Sequence, residues 1–169
     1  MRVDDPVAEL LADAVRKHGY IDLPAQGYSM YPLIRQGDRC RFAPVVPSLL
    51  RRGDIVLFRT DEHRLVAHRL VARRRAFRPA SRGGARIVET LYLFQGDANL
   101  APDAPVRSGQ LIGRLRRIRR AGRWLDANGW AFRAWGAVVL ACPPLRAAIH
   151  RRARAFQLKR ERRQAGVFL

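Results

Sequence analysis

Apolar positions recur along this chain with two different periods, and the changes of period divide it. Over residues 5–18, Val7, Leu10, Leu11, Ala14 and Val15 fall at helical spacing, which predicts a short amphipathic helix packed on the domain after it. Asp4 or Asp5 can cap it, Pro6 suits its first turn and Gly19 can end it. From Tyr20 to about Leu125 the pattern changes to short apolar runs punctuated by Gly, Pro and Asp. These predict strands at Tyr20–Leu23, Arg39–Ala43, Ile55–Arg59, Leu65–Ala72, Ile87–Phe94 and Leu111–Ile118. Thr60–His63 reads as the turn of a hairpin. Gly37-Asp38, Gly53-Asp54 and Gly96-Asp97 stand at strand edges, and for the first two, turn chemistry alone is the preferred reading. Arg73–Gly84 is basic and loop-like, so it reads as a mobile insertion between strands. Beyond Asn128 the helical period returns, with Trp130, Phe132, Trp135 and Val138 near one face and Arg151–Arg163 as a basic helix or frayed tail. The expected organisation is an N-terminal helix (1–19), a mainly β domain (20–126) and a basic helical tail (127–169).

Charge adds a question about partners. Of 169 residues, 33 are basic and 14 acidic, a formal net charge of +19, and all the basic residues except Lys17 and Lys159 are arginines. Such a balance suits nucleic acid or an anionic membrane surface, and equally suits arginines spread over solvated faces. Arginine stays protonated in essentially any protein site, so it cannot act as a general base. Cys40 and Cys142 are too few for a disulfide framework. With His18, His63, His68 and His150 scattered, no metal-ligand spacing appears, and neither a metal nor a cofactor is expected. The first nineteen residues are acidic and amphipathic, which does not predict a signal peptide. The most apolar late stretch, Ala134–Leu145, is shorter than the roughly 20 residues a spanning helix needs. A cytoplasmic protein is expected. The aromatic and apolar tail flanked by arginines leaves peripheral membrane contact open.

The segment richest in chemistry is Gly27-Tyr28-Ser29-Met30-Tyr31-Pro32-Leu33, which leads into Gly37-Asp38. A loop of this kind can hold a hydroxyl at the edge of a sheet. Serine is a poor nucleophile at neutral pH and needs an adjacent base. No lysine lies between Lys17 and Lys159, so a Ser-Lys device has no base here, whereas histidine titrates near neutrality. In Leu65–Ala72, side-chain alternation puts Val66, His68 and Leu70 on one face, so His68 projects among apolar neighbours. His63 falls in the hairpin turn, and His18 at a helix end where positive charge suits the dipole. A carboxylate is then wanted to hold the imidazole tautomer, and Asp103 and Asp97 are the candidates.

Taken in order, these motifs resemble those of the signal peptidase I and LexA-like serine peptidases. GYSMYPLIRQGD is similar to the nucleophile motif, RRGDIVLFR to the strand after a second Gly-Asp, and LVAHRLVA to the segment carrying the base. LFQGDANLAPD is similar to the Gly-Asp-Asn motif and QLIGRLRRI to the closing strand. His68-Arg69 matches the histidine-type branch found in endoplasmic-reticulum, archaeal and sporulation signal peptidases. The likeness runs from about residue 21 to 118, with Ala98 interrupting the Gly-Asp-Asn match. It implies a curled antiparallel sheet of the LexA/signal peptidase type with Ser29 at its edge, to which the residue pattern adds an N-terminal helix, where membrane signal peptidases usually carry a spanning one, and a C-terminal helical basic tail. It also implies Ser29 as nucleophile, His68 as base, Asp103 as orienter of His68 and Asp97 as a supporting residue. The reaction implied is hydrolysis of a peptide bond in a precursor or leader peptide. Two alternatives stay open: a LexA-like regulator that cleaves itself or binds DNA, and a silent relative that only binds peptides. Neither the natural substrate nor the oligomeric state follows from the sequence.

Overall fold

The computed structural model describes residues 5–79 and 86–165. Its centre is an open, antiparallel, eight-stranded sheet, with one helix before it and two after. In chain order the elements are α1 (Asp5–His18), β1 (Ile21–Pro24), β2 (Arg39–Ala43), β3 (Ile55–Arg59), β4 (Leu65–Pro79) and β5 (Arg86–Gln95). They continue with β6 (Val106–Arg107), β7 (Leu111–Arg120), β8 (Arg123–Asp126), α2 (Trp130–Ala141) and α3 (Pro143–Ala165). The strands run in the order β1-β2-β7-β3-β4-β5-β6, with β8 added to β7.

β3, in the middle of the sheet, is buried on both sides. Its alternate residues Ile55 and Leu57 enter one apolar cluster with Phe42, Leu115 and Ile118, while Val56 and Phe58 enter a second with Leu70, Tyr92 and Phe94. Phe58 stacks on Phe94 with ring centroids 4.6 Å apart. The first cluster is closed from outside by α1, through Ala8, Leu11, Ala12 and Val15. This corrects the face expected from the sequence: Val7 is exposed and Leu10 is 67% exposed. Two apolar stripes share Leu11 and Val15, and the stripe with the small residues Ala8 and Ala12 lets the helix approach the sheet more closely. Gly19, at φ +76°, ends the helix in the left-handed region. The cap expected from Asp4 lies outside the described residues.

The expected strands are all present: Arg39–Ala43 and Ile55–Arg59 keep the expected ends, and the other four have shifted ends. β4 and β5 depart most from expectation, because Arg73–Pro79 belongs to β4 rather than to a mobile insertion. It pairs with β5 out to Pro79 opposite Arg86. The remainder of that insertion, 80–84, lies outside the described residues. Arg73, Arg74 and Arg75 are exposed, so this part of the ladder is held by backbone pairing without a buried face to give it an alternating signature. β6 and β8 were not expected; β8 is turned back on β7 through Ala121 and Gly122, both at positive φ.

Between β1 and β2, Arg41 forms a two-bond fork to Asp22, at 2.8 and 2.7 Å, and lies over the rings of Tyr20 and Trp124. The fork holds the Asp22 carboxyl below the usual carboxylate range. A depressed pKa contributes stability that is present above about pH 4 and lost as pH falls through the lowered value. Thermal melts from pH 5 to pH 2 are therefore expected to show wild type losing more stability than Asp22→Asn. Parallel curves would contradict the coupling.

After the sheet, Pro143 opens α3 directly behind α2. The four apolar residues expected near one face of α2 divide. Trp135 packs with Ala98, Val139 and Ile149, and Phe132 packs on the first cluster, whereas Trp130 is 83% exposed and Val138 is also exposed. No helix among the described residues is long and apolar enough to cross a membrane.

Candidate active site

The loop between β1 and β2 carries Ser29 on a short frame of turns. Gly27 takes φ +77°, Tyr31 N–H donates to Tyr28 O at 3.0 Å, and Ile34 N–H donates to Met30 O at 2.9 Å. Met30 and Ile34 are buried in the first cluster and anchor the loop from below. Asp38 does more than the turn chemistry expected of it. It accepts the Arg35 N–H, and it also accepts a fork from Arg120 at 2.9 and 2.6 Å. Arg120 also reaches Leu33 O, tying the loop to β7. Asp54 fits the turn reading more closely, accepting the Arg51 N–H at 2.8 Å.

His68 comes from β4, opposite Val56 of β3. Its side chain is buried, edge-on to Phe58. Ser29 and His68 line the same cavity, of about 360 Å³, together with Met30, Cys40, Phe42 and Leu65. Burial pushes the Cys40 thiol up to about 12, so it stays protonated and does not compete as a nucleophile.

The imidazole also meets Asp103: Nδ1 lies 2.6 Å from Oδ2. A carboxylate only accepts, so Nδ1 carries a hydrogen, and in the neutral ring Nε2 is then the nitrogen with the lone pair. Asp103 reaches this position because its backbone N–H donates to Phe94 O at 2.8 Å, pinning the loop after β5 beside β4.

Asp97 faces a different partner. It is 1% exposed and accepts both arms of Arg69, from Nε at 2.8 Å and Nη2 at 2.7 Å, plus Trp135 Nε1–H at 2.9 Å. Arg69 also donates to Gly53 O at 2.9 Å. The residues on either side of Asp97 touch the serine loop. Ala98 N–H donates to Ser29 O at 2.8 Å, and a Cβ on Gly96 would lie 2.7 Å from that same oxygen. Gly96 is thus required by close approach, not by its φ.

Of the four residues singled out from sequence, Ser29 and His68 share a cavity, Asp103 bonds His68, and Asp97 stands behind them on Arg69. His63 is exposed in the β3–β4 turn, as its position suggests. The roles of Arg120, Trp135 and Gly136 around the site escaped the sequence reading. Gly136 is where α2 crosses Arg69: a Cβ there would lie 2.6 Å from Nη1. A glycine inside an apolar helix was the available sign of such a crossing. No protein-family model and no curated protein matches this sequence.

Proposed function

We propose that this chain is a serine endopeptidase of the signal peptidase and LexA-like kind, and that its sheet is the curled sheet of that fold. The observation that carries the reading is one imidazole that has a carboxylate 2.6 Å from its Nδ1 and lines a cavity together with Ser29. In the proposed reaction His68 Nε2 removes the Ser29 proton, and Oγ attacks the scissile carbonyl carbon. The resulting oxyanion is held by the Ser29 backbone N–H, a kind of contact worth roughly 3–4 kcal/mol. His68 then protonates the leaving amine as the peptide C–N bond breaks, and an acyl-enzyme remains. Water, deprotonated by His68, releases the acyl group and restores the serine. Asp103 keeps the imidazole in the required tautomer and balances the charge of the imidazolium.

Substrate access is supported by the sheet itself. Leu65–His68 pairs with β3 on one side, while the pairing of β4 with β5 begins only at Arg69. Leu23–Gly27 line the same cavity as that stretch. An extended peptide laid between them would gain backbone hydrogen bonds, with affinity from the main chain and selectivity from the cavity.

The test is incubation of full-length protein with fluorogenic or mass-tagged precursor peptides, beside Ser29→Ala and His68→Ala. Wild type is expected to cleave, and each variant to lose on the order of 10⁶ in kcat. Cleavage that persists in both variants would remove Ser29 and His68 from the chemistry.

A further inference from the structure

We infer that the C-terminal helical hairpin α2–α3 holds the Ser29 loop in position, with Trp135 and Phe156 as positioning residues. The hairpin grips the loop along two separate routes. The first passes through the turn after β5. Trp135 Nε1 donates to Asp97, Arg146 Nη1 donates to Gln95 Oε1 at 2.7 Å, and His150 Nδ1 lies 2.8 Å from Ala98 O. Because a carbonyl only accepts, that Nδ1 carries the hydrogen. The turn gripped in this way is the one whose Ala98 N–H holds Ser29 O.

The second route goes directly to the residues flanking the serine. Tyr28 precedes Ser29 and Tyr31 comes two places after it. Both pack against Ala98, Val139, Ile149 and Ala153. Phe156 covers them, with ring centroids 5.4 Å from Tyr31 and 6.4 Å from Tyr28, within the range of favourable ring pairs. Helix α2 can come this close because Gly136 leaves room for the Arg69 guanidinium. The serine loop is therefore braced by the core below, through Met30 and Ile34, and by the C-terminal helices outside. Loosening the outer brace leaves the cavity walls intact and misplaces the hydroxyl, which lowers turnover more than substrate binding.

The catalytic consequence rests on the peptidase reading, whereas the bracing itself is measurable without any substrate. Native-state amide exchange in the ¹⁵N-labelled full chain reads it at Ala98, with Val56 in β3 as the control. Trp135→Phe and Phe156→Leu are each expected to speed Ala98 exchange at least ~10-fold and to leave Val56 unchanged. With a cleaved peptide, kcat should fall roughly 10- to 100-fold and KM stay within about twofold. Phe156→Tyr should restore both. Phe156 is partly exposed, so Phe156→Leu decides the matter if Trp135→Phe lowers protection everywhere. Ala98 exchange at the wild-type rate in Phe156→Leu would overturn the inference, whatever the peptidase assay gives. Faster Ala98 exchange in a protein that cleaves no peptide would keep the brace and defeat the peptidase reading.

Discussion

On the proposed peptidase reading, Asp103→Asn is expected to lower kcat for peptide cleavage by about 10⁴, with the melting temperature held within about 2 °C of wild type. The cause is the tautomer. The amide introduced by the substitution would offer His68 Nδ1 either an N–H, which moves the ring hydrogen to Nε2 and removes the base, or a neutral oxygen. The neutral oxygen keeps the tautomer and loses the charge that stabilises the imidazolium. Both outcomes cost transition-state stabilisation and little folding energy. The Asp103 side chain is partly exposed, and its backbone bond to Phe94 is untouched by the substitution. Steady-state kinetics beside a thermal melt checks the claim. A variant with kcat within tenfold of wild type would show that Asp103 does not orient the base.

Which features the residue pattern revealed, and which it hid, depends on where a side chain's surroundings come from. The strands β2, β3 and β7 and the buried half of β4 were legible because each packs against a core, which leaves apolar residues alternating in β2 and a continuous apolar run in β3. The outer half of β4 was hidden. Arg73–Arg75 are solvated, and nothing local distinguishes an arginine-rich strand from an arginine-rich loop; only the partner strand, β5, decides. The face of α1 was misread for a related reason, because two stripes met the helical spacing and only the sheet beneath could choose Ala8 and Ala12. At the site, Ser29, His68, Asp97 and Asp103 were all visible as residue types in ordered motifs. Residue pattern alone did not separate the two aspartates, although the resemblance implied Asp103 as the orienter and Asp97 as its support. Asp103 is set by a backbone bond to Phe94, and Asp97 by an arginine 28 positions away and a tryptophan 38 positions away. Contacts at that separation leave no period in the sequence.

That division makes the two aspartates separable by experiment, and Asp97→Ala is the variant expected to damage the fold most. It strips Arg69, whose side chain is 3% exposed, of its only carboxylate partner among the described residues, and leaves Trp135 Nε1–H without its acceptor. Breaking a buried ion pair from one side costs about 3–5 kcal/mol, because the remaining charge is uncompensated. For a chain of this length that corresponds to a fall in melting temperature of roughly 6–20 °C. The double variant Asp97→Leu with Arg69→Met removes both charges and should recover part of this loss. It should still melt below wild type, since Gly53 O loses its Arg69 donor and the indole N–H stays unsatisfied. Thermal or urea unfolding of the three proteins tests the ordering wild type, double variant, Asp97→Ala. If Asp97→Ala melted within about 2 °C of wild type, the buried pair could not be what ties β4 and the turn after β5 to α2.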